Sequence, residues 1–213
     1  MNDDLHIAVF AKAPLPGQVK TRLIPLLGAE GAAAAYRQMT LHALQIATAV
    51  ASVSLWTAGA ADHPFLRQCG EQFGAALHAQ SDGDLGVRMA HCLRLLLQRH
   101  RRVLLIGSDC PALRAVDLQL AAAALDHDGA VVFTPAEDGG YVLVGLRATP
   151  APGLLQAMFD DIAWSTPSVM AQSRQRLAAI GVQPAEMPQQ WDVDNPDDYA
   201  RAVSADLLPP FCG

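Results

Sequence analysis

Positive charge is scarce in this 213-residue chain. Fifteen lysines and arginines stand against 21 acidic residues, giving a net charge of −6 and a pI near 5.5. A nucleic-acid surface needs a basic face, so broad contact with DNA or RNA is excluded, whereas a small nucleotide held by a few local cations is not. Cysteine offers little for metal or redox chemistry. None of the four, Cys69, Cys92, Cys110 and Cys212, forms a C-x-x-C pair, and no His-rich spacing accompanies them. That argues against a zinc site and against a dithiol motif. The first residues lack a basic stretch followed by an apolar one, so no signal peptide is expected. No uncharged apolar run reaches membrane-spanning length. The expected setting is the cytoplasm, away from membranes and with reduced thiols. Neither a Walker A loop nor a G-x-G-x-x-G fingerprint occurs.

What is present is apolar: 51% of residues are hydrophobic and the mean hydropathy is +0.18, which predicts a folded rather than a disordered chain. The length suffices for a sizeable core, and we read residues 1–213 as one domain. Val103 to Pro111, V-L-L-I-G-S-D-C-P, is a short apolar run stopped by turn residues. It predicts a strand buried on both faces. Asp109 falls just past it. Ligands of open α/β sheets bind outside the carboxyl ends of the strands, so Asp109 is either the floor of a site or a turn cap.

The remaining chain reads as alternating strands and helices. Leu5 to Ala11 predicts the first strand, and Lys12 to Leu23 a loop broken by Pro14, Pro16 and Gly17. That loop carries Lys12, Lys20 and Arg22 and is either a phosphate cradle or a solvated basic loop. Ala29 to Val50 predicts a helix with Tyr36, Met39, Ala43, Ile46 and Val50 on its core face. Ser52 to Thr57 and Ala75 to His78 read as strands, with a short helix over His63 to Gly70 between them. Ser81 or Asp82 is expected to cap a long helix whose core face includes Leu85, Met89, Leu93, Leu96 and Leu97. Gly83 and Gly86 sit oddly at its start. A ligand against the backbone and a tight turn into the helix explain them equally well.

After the central strand come a helix over Val116 to Leu125 and strands over Ala130 to Thr134 and Tyr141 to Leu146. The Asp-Gly between those strands predicts an antiparallel hairpin in a mixed sheet. Trp164 stacks on a ligand or staples its loop to the next helix, which Thr166 caps with Pro167 in the first position. Val182 to Met187 reads as a last strand, and Asn195 with Pro196 starts a last helix in which Asp197 and Asp198 face the positive helix end. In an extended W-D-V-D, Asp192 and Asp194 point to one side. Two carboxylates so placed repel each other unless a cation joins them, and oxygen-only ligands favour Mg2+ or Mn2+.

Four segments, F-A-K-A-P-L-P-G-Q-V-K-T-R-L, G-S-D-C-P, P-A-E-D-G-G-Y-V-L-V-G-L and D-V-D-N-P-D-D, together resemble a bacterial glycosyltransferase family of the GT-A, nucleotide-diphospho-sugar transferase superfamily. That family is related to molybdenum-cofactor and phospholactate guanylyltransferases. The resemblance spans Phe10 to about Arg201. It implies a three-layer α/β/α Rossmann-like fold with a mixed, mostly parallel sheet and one antiparallel hairpin. It also implies that Ala11, Lys12, Gly17, Lys20 and Arg22 hold nucleotide phosphates and that Gly83 and Asp84 meet the base or ribose. Asp109 and Asp194, joined by Asp192, become the metal carboxylates. Asp138, Gly139 and Gly140 form a loop over the second substrate, with Trp164 grouped beside them. Lys20, Arg22 and Asp109 become the catalytic set.

Two departures stand out: A-P-L-P-G replaces the paired glycines and serine of the nucleotidyltransferase loop, and S-D-C replaces the D-x-D of glycosyltransferases. The expected function is Mg2+- or Mn2+-dependent transfer from a nucleotide or nucleotide-sugar to a small-molecule acceptor, with a homodimer as one possible assembly. Nucleotidyl transfer is preferred over glycosyl transfer, because a triphosphate needs more cations. A non-catalytic nucleotide-binding regulator is the third reading, motivated by the missing second central aspartate.

Overall fold

The structure is a computed structural model that describes residues 4–60, 62–127, 130–148 and 153–210. Cys212 lies outside them. The described strands form one sheet in the order β3-β2-β1-β4-β6-β5-β7. These are β1 Leu5–Lys12, β2 Ser52–Ala58, β3 Ala76–Ala79, β4 Arg102–Ile106, β5 Val131–Pro135, β6 Tyr141–Arg147 and β7 Ala185–Glu186. Every neighbouring pair is parallel except those of β6, which runs antiparallel to both β4 and β5. The expected hairpin is therefore present, and its second strand inserts beside the central one.

Alternation along the central strands makes the layers. Ile7, Val9, Leu104 and Ile106 join a core with helices α1 (Ile24–Thr48), α2 (Pro64–Phe73) and α4 (Ala115–His127). Ala8, Phe10, Val103 and Leu105 face the other way, towards α3 (Leu85–Leu96), α5 (Leu154–Phe159) and α6 (Val169–Ala179). A third apolar cluster joins the start of α1 to α7 (Pro196–Ser204) through Val19, Leu23, Leu27, Val193 and Tyr199. This is the expected three-layer α/β/α arrangement. No helix among the described residues is long and apolar enough to cross a membrane.

Several local expectations are corrected. The cap of α3 is Asp84, not Ser81 or Asp82: its Oδ1 accepts from the Val87 amide at 2.9 Å. Leu85, expected in the core, is 42% exposed. Helix α6 begins at Val169, beyond Thr166 and Pro167, because the first-turn amide of Met170 donates to Gly139 O at 2.9 Å rather than to a side-chain cap. Strand β7 has only two residues, bracketed by Pro184 and Pro188, which cannot donate to a ladder. Helix α1 starts at Ile24 and breaks at Gly28, whose φ of 68° is left-handed, so its regular part begins where periodicity places it. Helix α5 was not anticipated.

Candidate active site

Strand order changes direction between β1 and β4, and the crevice above such a switch point is where ligands of open α/β sheets bind. The loops leaving β1 and β4 line a cleft of about 1070 Å³ there. Ala11, Lys12, Lys20, Arg22, Asp84, Asp109, Asp138, Gly140, Trp164, Asp192 and Asp194 all face it. Gly17, Gly83 and Gly139 are not among its lining residues. Each has a positive φ (80°, 111° and 89°) and shapes a turn. A side chain at Gly139 would strike the carbonyl of Pro167, so this glycine seats the hairpin turn against the start of α6.

Three carboxylates converge at the floor. Asp109, Asp192 and Asp194 each offer an oxygen within 4.8 Å of the others. Asp109 is carried by the turn after β4. The D-V-D segment is hung from it, because the Val193 amide donates to Asp109 O at 3.0 Å. Val193 is fully buried on the opposite side, which turns its two acidic neighbours into the cleft. From behind, Asp198 Oδ2 accepts from the amides of Asp194 and Asn195 at 2.9 and 3.0 Å. Asn195 Oδ1 in turn accepts from the amides of Asp197 and Asp198, completing a capping box. Asp197 and Asp198 thus belong to the helix start.

Lys20 lies between the carboxylates rather than across from them. Its Nζ donates to Asp109 Oδ2 at 3.0 Å and to Asp194 Oδ1 at 2.8 Å, and its side chain is 7% exposed. Burial alone would lower the Lys20 ammonium; Asp109 and Asp194 more than offset that and raise it, so it stays charged. Arg22 reaches Asp194 Oδ2 at 3.7 Å and is largely exposed. Lys12 is exposed and has no ion pair among the described residues. Lys12 and Lys20 are the only lysines in the sequence. Asp192 is pushed up to about 7, first by burial and then by Asp109, Asp194 and Asp138. One ammonium does not balance this crowding of carboxylates, and an oxygen-only donor set of this kind suits Mg2+ or Mn2+. Cys110, next to Asp109, is buried and its thiol is pushed up to about 12, chiefly by that burial, so it is no nucleophile.

Sequence reading missed several participants. Tyr36 occupies a core position of α1, and its buried hydroxyl accepts from the Lys12 amide at 2.9 Å and pairs with Ser108 Oγ at 2.8 Å. It ties the β1 loop to the β4 loop. Helical spacing finds such a position but not the use of its hydroxyl. Arg88 adds a fourth cleft cation, braced by its Nε donating to Gly83 O at 2.9 Å. Trp164 both staples and lines: it stacks on Phe159 and meets Tyr141 edge-on, with ring centroids 6.2 and 6.4 Å apart. Its indole lies over Gly86, so close helix–Trp packing explains this glycine.

Fold and site together define a class: a transferase with the nucleotide-diphospho-sugar transferase type of fold. A crystal structure described as a "putative nucleotide-diphospho-sugar transferase" from Desulfovibrio desulfuricans G20 matches at 30% identity. The match covers 97% of this chain and 88% of that one, with a TM-score of 0.82. A nucleotidyl transferase from Methanothermobacter shares the fold at 13% identity, with coverage of 96% and 98% and a TM-score of 0.64. Glucosyl-3-phosphoglycerate synthase from Mycobacterium tuberculosis, solved with Mn2+, UDP and glucosyl-3-phosphoglycerate, does so at 9% identity, with coverage of 96% and 77% and a TM-score of 0.56. The chain belongs to the family described as "Uncharacterized protein conserved in bacteria (DUF2064)", whose model matches residues 40–166. No curated protein matches it in sequence.

Proposed function

We propose that this chain is a divalent-metal-dependent transferase acting on a nucleotide-activated substrate, and that its reaction is nucleotidyl transfer from a nucleoside triphosphate. The observation that carries the reading is the Asp109–Asp192–Asp194 cluster facing the same cleft as the basic β1 loop. Asp109, Asp192 and Asp194 would hold Mg2+ or Mn2+. The ion, when bound, would neutralise negative charge that develops on the leaving group.

The chain's own residues do the rest. Lys12 at the end of β1 and Arg22 in the loop after it offer positive charge to the phosphates, and Arg88 adds more from the first turn of α3. Asp84 and the turn at Gly83 flank the end of the cleft suited to base or ribose. The wall formed by Asp138, Gly140 and Trp164 leaves room for an acceptor. In the reaction, an acceptor phosphate oxygen, or a hydroxyl oxygen that gives up its proton to solvent, attacks the α-phosphorus. The bond from that phosphorus to the bridging oxygen breaks, and pyrophosphate leaves with the electron pair. Three cleft cations beyond Lys20 favour a triphosphate.

Glycosyl transfer is the second reading, favoured by the description of the Desulfovibrio relative. There the sugar moves and a nucleoside diphosphate leaves. Turnover with nucleoside triphosphates and nucleotide-sugars, each with sugar-phosphate acceptors, separates the two. Pyrophosphate release is the predicted result, and free nucleoside diphosphate would establish the second reading. Asp109→Asn is expected to lower turnover on the order of 100-fold. Turnover left intact by it, or absence of turnover with every nucleotide and metal, would overturn the assignment, the latter in favour of a nucleotide-binding regulator.

A further inference from the structure

The cation already seated among the carboxylates is Lys20, and its placement is over-determined. Its backbone is left-handed, with φ 46° and ψ 44°, a conformation that residues other than glycine seldom adopt. The Leu23 amide closes the following turn onto Lys20 O at 2.8 Å. The side chain is almost fully covered, and its Nζ takes one oxygen from each of Asp109 and Asp194. Mg2+ needs its oxygen ligands at about 2.0–2.1 Å. An ammonium spanning the same two carboxylates withholds those oxygens and repels a second cation. Strained backbone at a site persists where the surroundings impose it, and such segments are suited to two-position behaviour.

We propose that Lys20 is the resident counter-ion of the cluster. In the nucleotide-free protein it bars the divalent ion, and it transfers to a phosphate oxygen when nucleotide enters, so that metal and nucleotide bind together. This rests on the metal-dependent reading above and adds the order of binding. The end of β1 and the loop that carries Lys20 also present Lys12 and Arg22 to the cleft, so a nucleotide's phosphates would arrive beside the ammonium and offer it replacement acceptors. The coupling is reciprocal: whatever draws Lys20 away raises metal affinity, and metal raises affinity for whatever draws it away.

The test is binding of Mn2+ alone to nucleotide-free protein, followed by electron paramagnetic resonance of the free ion. The wild type is expected to bind weakly, Lys20→Arg no better, and Lys20→Met at least tenfold more tightly, with a larger Mn2+-induced rise in melting temperature. Adding Asp109→Asn to Lys20→Met should abolish the gain. Lys20→Gln gives the same comparison should the methionine variant not fold. Mn2+ binding that depends on Asp109 but is no tighter without the ammonium would overturn the exclusion by Lys20 and leave the metal reading standing. No Asp109-dependent Mn2+ binding in any variant would overturn both.

Discussion

Of the three carboxylates clustered at the cleft floor, Asp109, Asp192 and Asp194, Asp192 alone has no ion pair among the described residues. It is also the one pushed up to about 7, by burial first and by its acidic neighbours second. Between its ordinary value of 3.8 and about 7, the folded protein therefore keeps a proton that the unfolded chain has released. Stability contributed by this group is present at the acid end of that window and is lost as pH rises through it. Thermal melts of wild type and Asp192→Asn across this range should diverge, the wild type losing stability towards pH 7 relative to the variant. Mn2+ added together with a nucleoside triphosphate needs the ionised carboxylate, and should stabilise the wild type more above pH 7 than below pH 6. Parallel curves for the two proteins would contradict this account of Asp192.

At the scale of elements, the cleft wall depends on how closely α3 and the loop before α6 approach each other. An added Cβ at Gly86 would fall against Trp164 Nε1 and within 2.7 Å of Phe159 O. Neither is a flexible chain end, so Gly86→Ala should destabilise the protein by about 1–3 kcal/mol. Urea unfolding measures this, and a change below about 0.5 kcal/mol would show that Trp164 moves aside freely.

How much of these elements could be read beforehand follows from where their determinants lie. Strand β4 and the capped start of α7 are legible because continuous apolar residues and an Asn-Pro cap are local signals. The start of α6 is not, because Gly139, far off in the chain, satisfies its first-turn amide. The Tyr36 hydroxyl escaped notice for the same reason: its partners, Lys12 and Ser108, come from two other loops. The role of Gly86 is set by a tryptophan that sequence distance conceals.

Across the whole molecule, the site is a product of topology. Lys20 is 89 residues from Asp109 and 174 from Asp194, yet all three meet within hydrogen-bond distance. The β1 and β4 loops are brought together by adjacent parallel strands, and α7 carries the D-V-D segment back across the third apolar cluster. Convergence of Asp109 and Asp194 was legible from the resemblance of four ordered motifs. The ammonium between them was not, because its position depends on the left-handed backbone at Lys20 and on the burial of its side chain. The most direct test is an anomalous difference map from crystals soaked with Mn2+ and a non-hydrolysable nucleoside triphosphate. The account predicts a manganese peak coordinated by at least two of Asp109, Asp192 and Asp194, with phosphates between it and the β1 loop. A nucleotide bound outside this cleft, or manganese bound away from all three carboxylates, would contradict it.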